Sequence, residues 1–535
     1  MEALDLLDPP MNSLPLPRLN RAAFVRRILV AGVMLAGFGP ALRAAEGTAS
    51  PPVLRAAAVT FSVQPRVGMP SGGSRTANLI EEVVGDLKTT LVYLDYGSTR
   101  LCFVTSPFGV HYRALNQPIR QALADVLKLS LAEVVAASSH NHTVPAIELG
   151  AGPPMIGDRI GTGMNEFGRE YLEALRAAAQ GLDARLAPVT VEWGVAQESR
   201  FTYNRRGRRP DGRSYFIREE DRVLLGEDYV GTIDPDATVV VFRGANGKPV
   251  AALASYTGHP VTGYNPEKMT SHGQWPQVAC ERLSAHLGGA PVGFLQGSCG
   301  DVNSKHMLTG TLAQADEAGE QLGESFIAAV GRLRKSQRPG LEWTRARVIV
   351  PQAPLPPLGQ LERELAEIDG FIQRARRGDP DTLECVGMNF PKALTPQYRA
   401  RLVEIVRPWY IWAVDQRRTG EADGLQPGLK LEIVVARFGD VGYVGMPAET
   451  FVRIGLRIKR EAPLPCVIAG GYADGSYGYI PDAAATGDRE YMSGFFRYVP
   501  ERLPYTGVGG EAMAEVAVPI LARFAKAPPV PPSVR

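Results

Sequence analysis

Short runs of β-branched and aromatic residues alternate along the chain with longer amphipathic stretches. Thr89 to Tyr96 and Arg100 to Thr105 are two such runs, split by Gly97-Ser98. Val239 to Phe242 and Val250 to Ser255 flank Ala245-Asn246-Gly247, and Leu429 to Phe438 and Val441 to Gly445 flank Gly439-Asp440. Apolar runs joined by such turn residues predict hairpins, which make a sheet antiparallel at least in part. Between them, Ile119 to Leu129, Glu166 to Leu182, Leu312 to Leu333 and Leu361 to Arg377 predict helices. In the last of these Leu361, Leu365, Ile368 and Ile372 recur at helical spacing and form one apolar stripe. The fold class expected is α/β, with mixed, partly antiparallel β-sheets packed with helices in one large domain. The Pro-rich stretch Gln352 to Gly359 is the best internal boundary, between domains or between lobes of one.

Composition narrows the class of molecule. The 535 residues are 45% hydrophobic and 21% charged, with 57 Gly and 43 Pro, which excludes a disordered tail, a collagen-like rod and a coiled coil. The 58 Lys and Arg nearly balance 56 Asp and Glu, and only Arg205 to Arg213 forms a basic run, so no nucleic-acid partner is expected. Near the start, Arg18, Arg21, Arg26 and Arg27 precede the apolar run Ile28 to Leu42, which is followed by Arg43-Ala44-Ala45. That order reads as a secretory signal peptide over residues 1–45, ahead of a domain over 46–527 and a Pro-rich tail over 528–535. It predicts a secreted or periplasmic protein. An uncleaved anchor is the competing reading, because Arg43 lies inside the cleavage box, and Arg26-Arg27 also fits a twin-arginine signal. Five scattered cysteines, Cys102, Cys280, Cys299, Cys385 and Cys466, contain no Cys-x-x-Cys pair, which argues against a cysteine zinc site or an iron-sulfur centre.

Histidines supply the candidate chemistry. Leu131 to Ala137 reads as a buried strand running into Ser138-Ser139-His140-Asn141-His142, and residues two apart on an extended chain face the same side. His140 and His142 can therefore face one site, although His-x-His also describes two surface histidines in a loop. His259 follows the strand Val250 to Thr257 and precedes Pro260, which restricts its backbone; alone, it reads as well as a structural histidine. Imidazoles suit zinc, and a carboxylate commonly completes such a set. Glu449 is the candidate, where a strand stops and Pro447 is expected to begin a helix, a place where an acid also serves as an ordinary capping residue.

Taken together, these segments resemble the neutral ceramidase family, secreted or surface amidohydrolases that cleave the N-acyl bond of ceramide with one zinc ion. The resemblance rests on Ser139-His140-Asn141-His142, Ala254 to Pro260 ending in His259-Pro260, Phe294 to Asn303 with its Gln296-Gly297 and Gly300-Asp301, Pro447-Ala448-Glu449 with Gly455, and Asp474 to Asp482 containing Tyr477 and Tyr479. Carried over position by position, it implies that His140, His259, Glu449 and Tyr479 hold one Zn2+ per chain, with His142 beside the bound water. It also makes Asn204-Arg205 similar to the family's Asn-Arg element, whose arginine faces the substrate. His142, Arg205 and Tyr479 are then the catalytic residues, and Asp301 is a candidate to orient a histidine.

The departures from the family pattern bear on substrate. Ser476 stands where the family has a tyrosine, which predicts a more open pocket wall, Gln274 stands near a position often held by Asp, and Pro481-Asp482 replaces Thr-Thr. Only about 55 residues follow Tyr479, against roughly 100 for an immunoglobulin-like domain, so the family's C-terminal domain is expected to be missing. The function expected is that of a secreted zinc amidohydrolase acting on a small-molecule or lipid N-acyl amide, with room for peripheral membrane contact. The alternatives are a zinc hydrolase of an ester, lactone or phosphoester, and a secreted binding protein with a degenerate site. A serine hydrolase is disfavoured because no Gly-x-Ser-x-Gly elbow is present.

Overall fold

All three predicted hairpins form, and two of them build the larger of two main sheets. Leu87–Tyr96 pairs antiparallel with Thr99–Ser106, and Asp236–Gly244 with Pro249–Tyr256. The computed structural model describes residues 52–73, 78–109, 113–148 and 163–526, so the expected signal peptide and Pro-rich tail lie outside the described residues. The larger sheet runs in the order Val292–Gln296, Pro249–Tyr256, Asp236–Gly244, Ala187–Gln197, Arg55–Val63, Leu87–Tyr96, Thr99–Ser106, Val134–Ser138. Its two outermost pairings are parallel and the inner ones antiparallel. A second sheet orders Leu341–Val350, Leu429–Phe438, Val441–Gly445 and Cys466–Gly470, with the third hairpin at its centre and a parallel last pair.

Apolar residues on the facing sides of the two sheets make one core layer. Phe103 meets Phe438 and Tyr443 edge-on, at ring distances of 6.2 and 5.3 Å, and all three rings are buried. Rings so placed each contribute about 2–3 kcal/mol of burial energy and favour the edge-to-face geometry seen. Helices cover the outer faces. Glu166–Ala179 starts where the Asn165 side chain accepts from the Gly168 N–H, and Leu312–Val330 starts at a Thr311/Gln314 capping box. Of the predicted stripe, Leu361, Ile368 and Ile372 are buried and Leu365 half-buried on Leu358–Arg376, which packs against Pro396–Thr419. The described residues form one compact unit, so Gln352 to Gly359 is a crossing inside it. None of the five cysteines is in a disulfide.

Strand ends from both edges of the larger sheet arrive at one place. Val134–Ser138 is wholly buried, as expected of a strand covered on both faces. The predicted strand start, Leu131 to Glu133, is instead a 3-10 turn closed by Glu133, whose carboxylate accepts from the Ser130 N–H. At the far ends the Gln296 amide donates to the carbonyls of Ser139 and Gly258, at 2.8 Å each. One side chain thus ties together the chain segments leading to His140 and His259.

Candidate metal centre

His140 does not lie on an extended strand. The strand stops at Ser138, and His140 has φ +63°, a left-handed conformation uncommon outside glycine. The turn is held by Asn141, whose Oδ1 accepts from the Thr143 N–H at 2.8 Å and whose Nδ2 donates to the His272 carbonyl at 2.7 Å. The two histidines therefore face one site through an Asn-locked turn, and not through the strand alternation expected from sequence. Tyr472, itself at φ +58°, stacks on the His140 ring at 4.1 Å and 23°.

Each imidazole has its Nδ1 against a backbone carbonyl: His140 on Gly109 at 2.7 Å, His142 on Gly73 at 3.2 Å and His259 on Val302 at 3.0 Å. A carbonyl can only accept, so each Nδ1 carries the ring proton and each Nε2 presents a lone pair. Those lone pairs converge. His140 Nε2 lies 3.3 Å from His142 Nε2, and the three ligand atoms fall within 4.8 Å of one another. Glu449 Oε2 lies 3.3 Å from His140 Nε2 and 3.4 Å from His259 Nε2, yet this buried oxygen has no hydrogen-bond partner. The His259 Nε2 lone pair meets Arg205 Nη2 at 3.1 Å, whereas those of His140 and His142 face one another beside the orphaned carboxylate oxygen and repel unless a cation lies among them. Nitrogen and carboxylate donors in a compact buried set fit zinc, and the carbonyls behind each Nδ1 are the outer partners such ligands carry.

Electrostatics agree with that fit. Burial, helped by the Arg205 charge, pushes His259 down to about 3, so it is a neutral donor at ordinary pH. Burial raises the Glu449 carboxyl, and positive charge on the His140 and His259 side is what brings it well below the usual carboxylate range; with the imidazoles neutral, that charge falls to a bound cation. His142 is lowered by burial and by the two neighbouring histidines.

Tyr479 and Arg205 complete the cluster. The Tyr479 hydroxyl lies 3.3 Å from His259 Nε2 and accepts from Arg205 Nη2 at 2.8 Å. Nη2 also donates to the Gly300 carbonyl and Nη1 to Asn303 Oδ1, at 2.7 and 2.8 Å, while the buried Nε has no partner. Burial opposes the guanidinium charge, but the phenols of Tyr479 and Tyr491 outweigh it, so its pKa stands above the ordinary value. The six residues assigned from sequence to the metal or to catalysis, His140, His142, Arg205, His259, Glu449 and Tyr479, thus meet at one site.

Several sequence expectations change. Pro447 does not begin a helix: Glu449–Thr450 is a short strand parallel to Tyr479–Ile480, and the helix starts at Val452. This pairing sets Glu449 beside Tyr479, and close packing maintains it, since a Cβ on Gly300 would come within 2.4 Å of the Glu449 carbonyl. Asp301 orients no histidine. Its carboxylate accepts from the Val452 N–H at 2.7 Å and from Asn204 Nδ2 at 2.9 Å, joining the strand Thr202–Asn204 to that helix start. Ser476 is buried and is not among the residues that line the pocket. Gln274 points its amide at the Thr262 carbonyl, at 2.8 Å.

An apolar slot of about 140 Å3 adjoins the cluster. His142, Arg205, His259 and Tyr479 line it, together with apolar residues that include Phe216, Phe390, Leu394, Leu402 and Tyr491. Sequence reasoning missed Tyr491, whose ring lies 5.5 Å from that of Tyr479, as well as Tyr472 and the tying role of Gln296. Tyr472 lies two residues before the segment that begins at Asp474, and nothing in its spacing marked it. For Gln296 the signal was Gln296-Gly297, one of the segments on which the resemblance rests, which did not tell what the side chain ties together.

No protein-family model matches the chain, and no curated protein matches it in sequence. Solved structures do match. Neutral ceramidase from Pseudomonas aeruginosa aligns over 90% of this chain and 76% of its own, with a TM-score of 0.60 at 16% identity. A ceramidase complexed with C2 aligns over 90% and 77%, with a TM-score of 0.62 at 15% identity. The chain therefore has the neutral ceramidase fold over most of its length.

Proposed function

We propose that the protein is an exported amidohydrolase that cleaves an N-acyl amide bond, with one zinc ion held by His140, His259, Glu449 and Tyr479. The observation that carries this reading is the meeting of imidazole lone pairs with the unpartnered, buried Glu449 Oε2 beside an apolar slot. The neutral ceramidase fold supports the amide as the bond attacked. Zinc bound there would supply a Lewis acid that brings the pKa of a water from about 15.7 to about 7.

The remaining chemistry belongs to side chains. His142 stands outside the proposed ligand set with an acceptor Nε2, which suits it to take a proton from the attacking water and return it to the leaving amine nitrogen. Its lowered pKa keeps it unprotonated at neutral pH and makes the protonated form a strong donor. Arg205 fixes the Tyr479 hydroxyl with Nη2 and keeps Nε free for the substrate oxygen, where its charge stabilises a developing oxyanion. The slot walls suit an acyl chain. Its volume of about 140 Å3 is below the range of roughly 300–1,000 Å3 for drug-sized ligands, which supports small or soluble N-acyl amides over membrane-embedded ceramide.

Hydrolysis of soluble N-acyl amides, esters, phosphoesters and bilayer ceramide by the purified protein, with and without chelator, tests the reading. The expected result is chelator-sensitive cleavage of the soluble amides. Activity untouched by chelator, cleavage confined to esters or phosphoesters, or faster turnover of bilayer ceramide would overturn it.

A further inference from the structure

A second cleft, of about 630 Å3, is lined by residues of the helix Arg113–Leu127 and of the paired strands Leu341–Val350 and Leu429–Phe438, and by none of the six metal-centre residues. Its charge is unbalanced: Arg120, Arg345, Arg347 and Lys430 face only two carboxylates, Asp474 and Glu432. Arg345 engages both acids, with Nη1 at 2.8 Å from Asp474 Oδ2 and 3.4 Å from Glu432 Oε1. Asp474 Oδ1 already accepts from the Ala136 N–H at 2.8 Å. Arg120 comes no nearer to that carboxylate than 3.9 Å and gives its hydrogen bonds to the Leu131 carbonyl, which accepts them without cancelling the charge. Arg347 and Lys430 are exposed; Glu432 stands directly across from Arg347 in the strand pair but is engaged by Arg345, and among the described residues neither Arg347 nor Lys430 forms an ion pair.

An independent observation comes from Asn116. It lines the same cleft at 2% exposure, and neither its Nδ2 nor its Oδ1 has a hydrogen-bond partner. A buried amide left wholly unpaired is rare in folded proteins, because the lost hydration goes uncompensated unless a bound group restores it.

We propose that this cleft binds a small organic oxyanion, a phosphate or carboxylate compound, whose oxygens accept from Arg347, Lys430 and the Asn116 amide. The volume lies within the range of small-molecule sites, and strong hydrogen bonds between ionised partners are what guanidinium and ammonium groups offer such a ligand. The burial of Asn116 favours a free small molecule over the headgroup of a lipid in a bilayer. The inference rests on residues outside the metal centre and stands apart from the reading of that centre.

Calorimetric titration of the purified protein with inorganic phosphate and with citrate, alongside sedimentation with phosphatidylglycerol vesicles, tests it. The expected result is saturable binding of a free anion that weakens as salt is added. Removing both exposed cations in an Arg347→Ala, Lys430→Ala variant should weaken binding about ten-fold or more and leave thermal stability unchanged. Asn116→Leu should weaken binding without loss of stability, since it deletes two unpaired polar atoms. No saturable binding of either anion at millimolar concentration, undiminished binding in the double variant, or vesicle binding without free-anion binding would overturn the proposal.

Discussion

His140 and His142 sit two positions apart with Nε2 atoms 3.3 Å from each other, yet their surroundings suit them to different tasks. His140 faces the Glu449 carboxylate and stacks on Tyr472, whereas His142 is partly exposed and lines the slot. His140→Ala should lower zinc content and activity together. His142→Ala should keep zinc and slow turnover by roughly 10²–10⁴-fold, the usual contribution of a positioned acid or base. Zinc content and turnover of the two variants decide the matter, and loss of metal in His142→Ala with retention in His140→Ala would reverse the assignment. At this scale the sequence was informative about residue type and spacing. It was silent on Gly109, Gly73 and Val302, whose carbonyls set the tautomers, because a backbone carbonyl carries no side-chain signal.

Asp301 connects elements, tying the Thr202–Asn204 strand to the start of the helix Val452–Glu461. Burial raises its carboxyl from 3.8 to about 6, and its two hydrogen bonds offset only part of that. The folded protein therefore binds this proton more tightly than the unfolded chain does. Its stabilising contribution is fully present below 3.8 and is lost as pH rises through about 6. Relative to Asp301→Asn, the wild type should gain about 2 kcal/mol of stability between pH 7 and pH 4.5, read from denaturant unfolding. A gap that does not change with pH would contradict the raised value. Strand-and-turn punctuation made the hairpins legible, Leu429–Phe438 with Val441–Gly445 to the residue. The start at Pro447 misled because the proline's fixed φ suits a helix or an extended segment equally. The choice was made by the Glu449 N–H bonding to the Gly478 carbonyl and the Gly300 N–H bonding to Thr450, contacts distant in sequence.

At the scale of the molecule, two sheets meet through Phe103, Phe438 and Tyr443, and the chain turns of both converge on the cluster, with Gln296 holding the His140 and His259 segments together. Periodicity indicated the α/β class and the mixed sheets. It could not give the order of strands, since which edges lie side by side depends on packing between segments far apart in the chain. One zinc ion is proposed at this convergence. Elemental analysis of the purified protein beside a His259→Ala, Glu449→Ala variant measures it directly. The expected result is one zinc per chain in the wild type and none in the variant; a metal-free wild type, or zinc undiminished in the variant, would overturn the assignment.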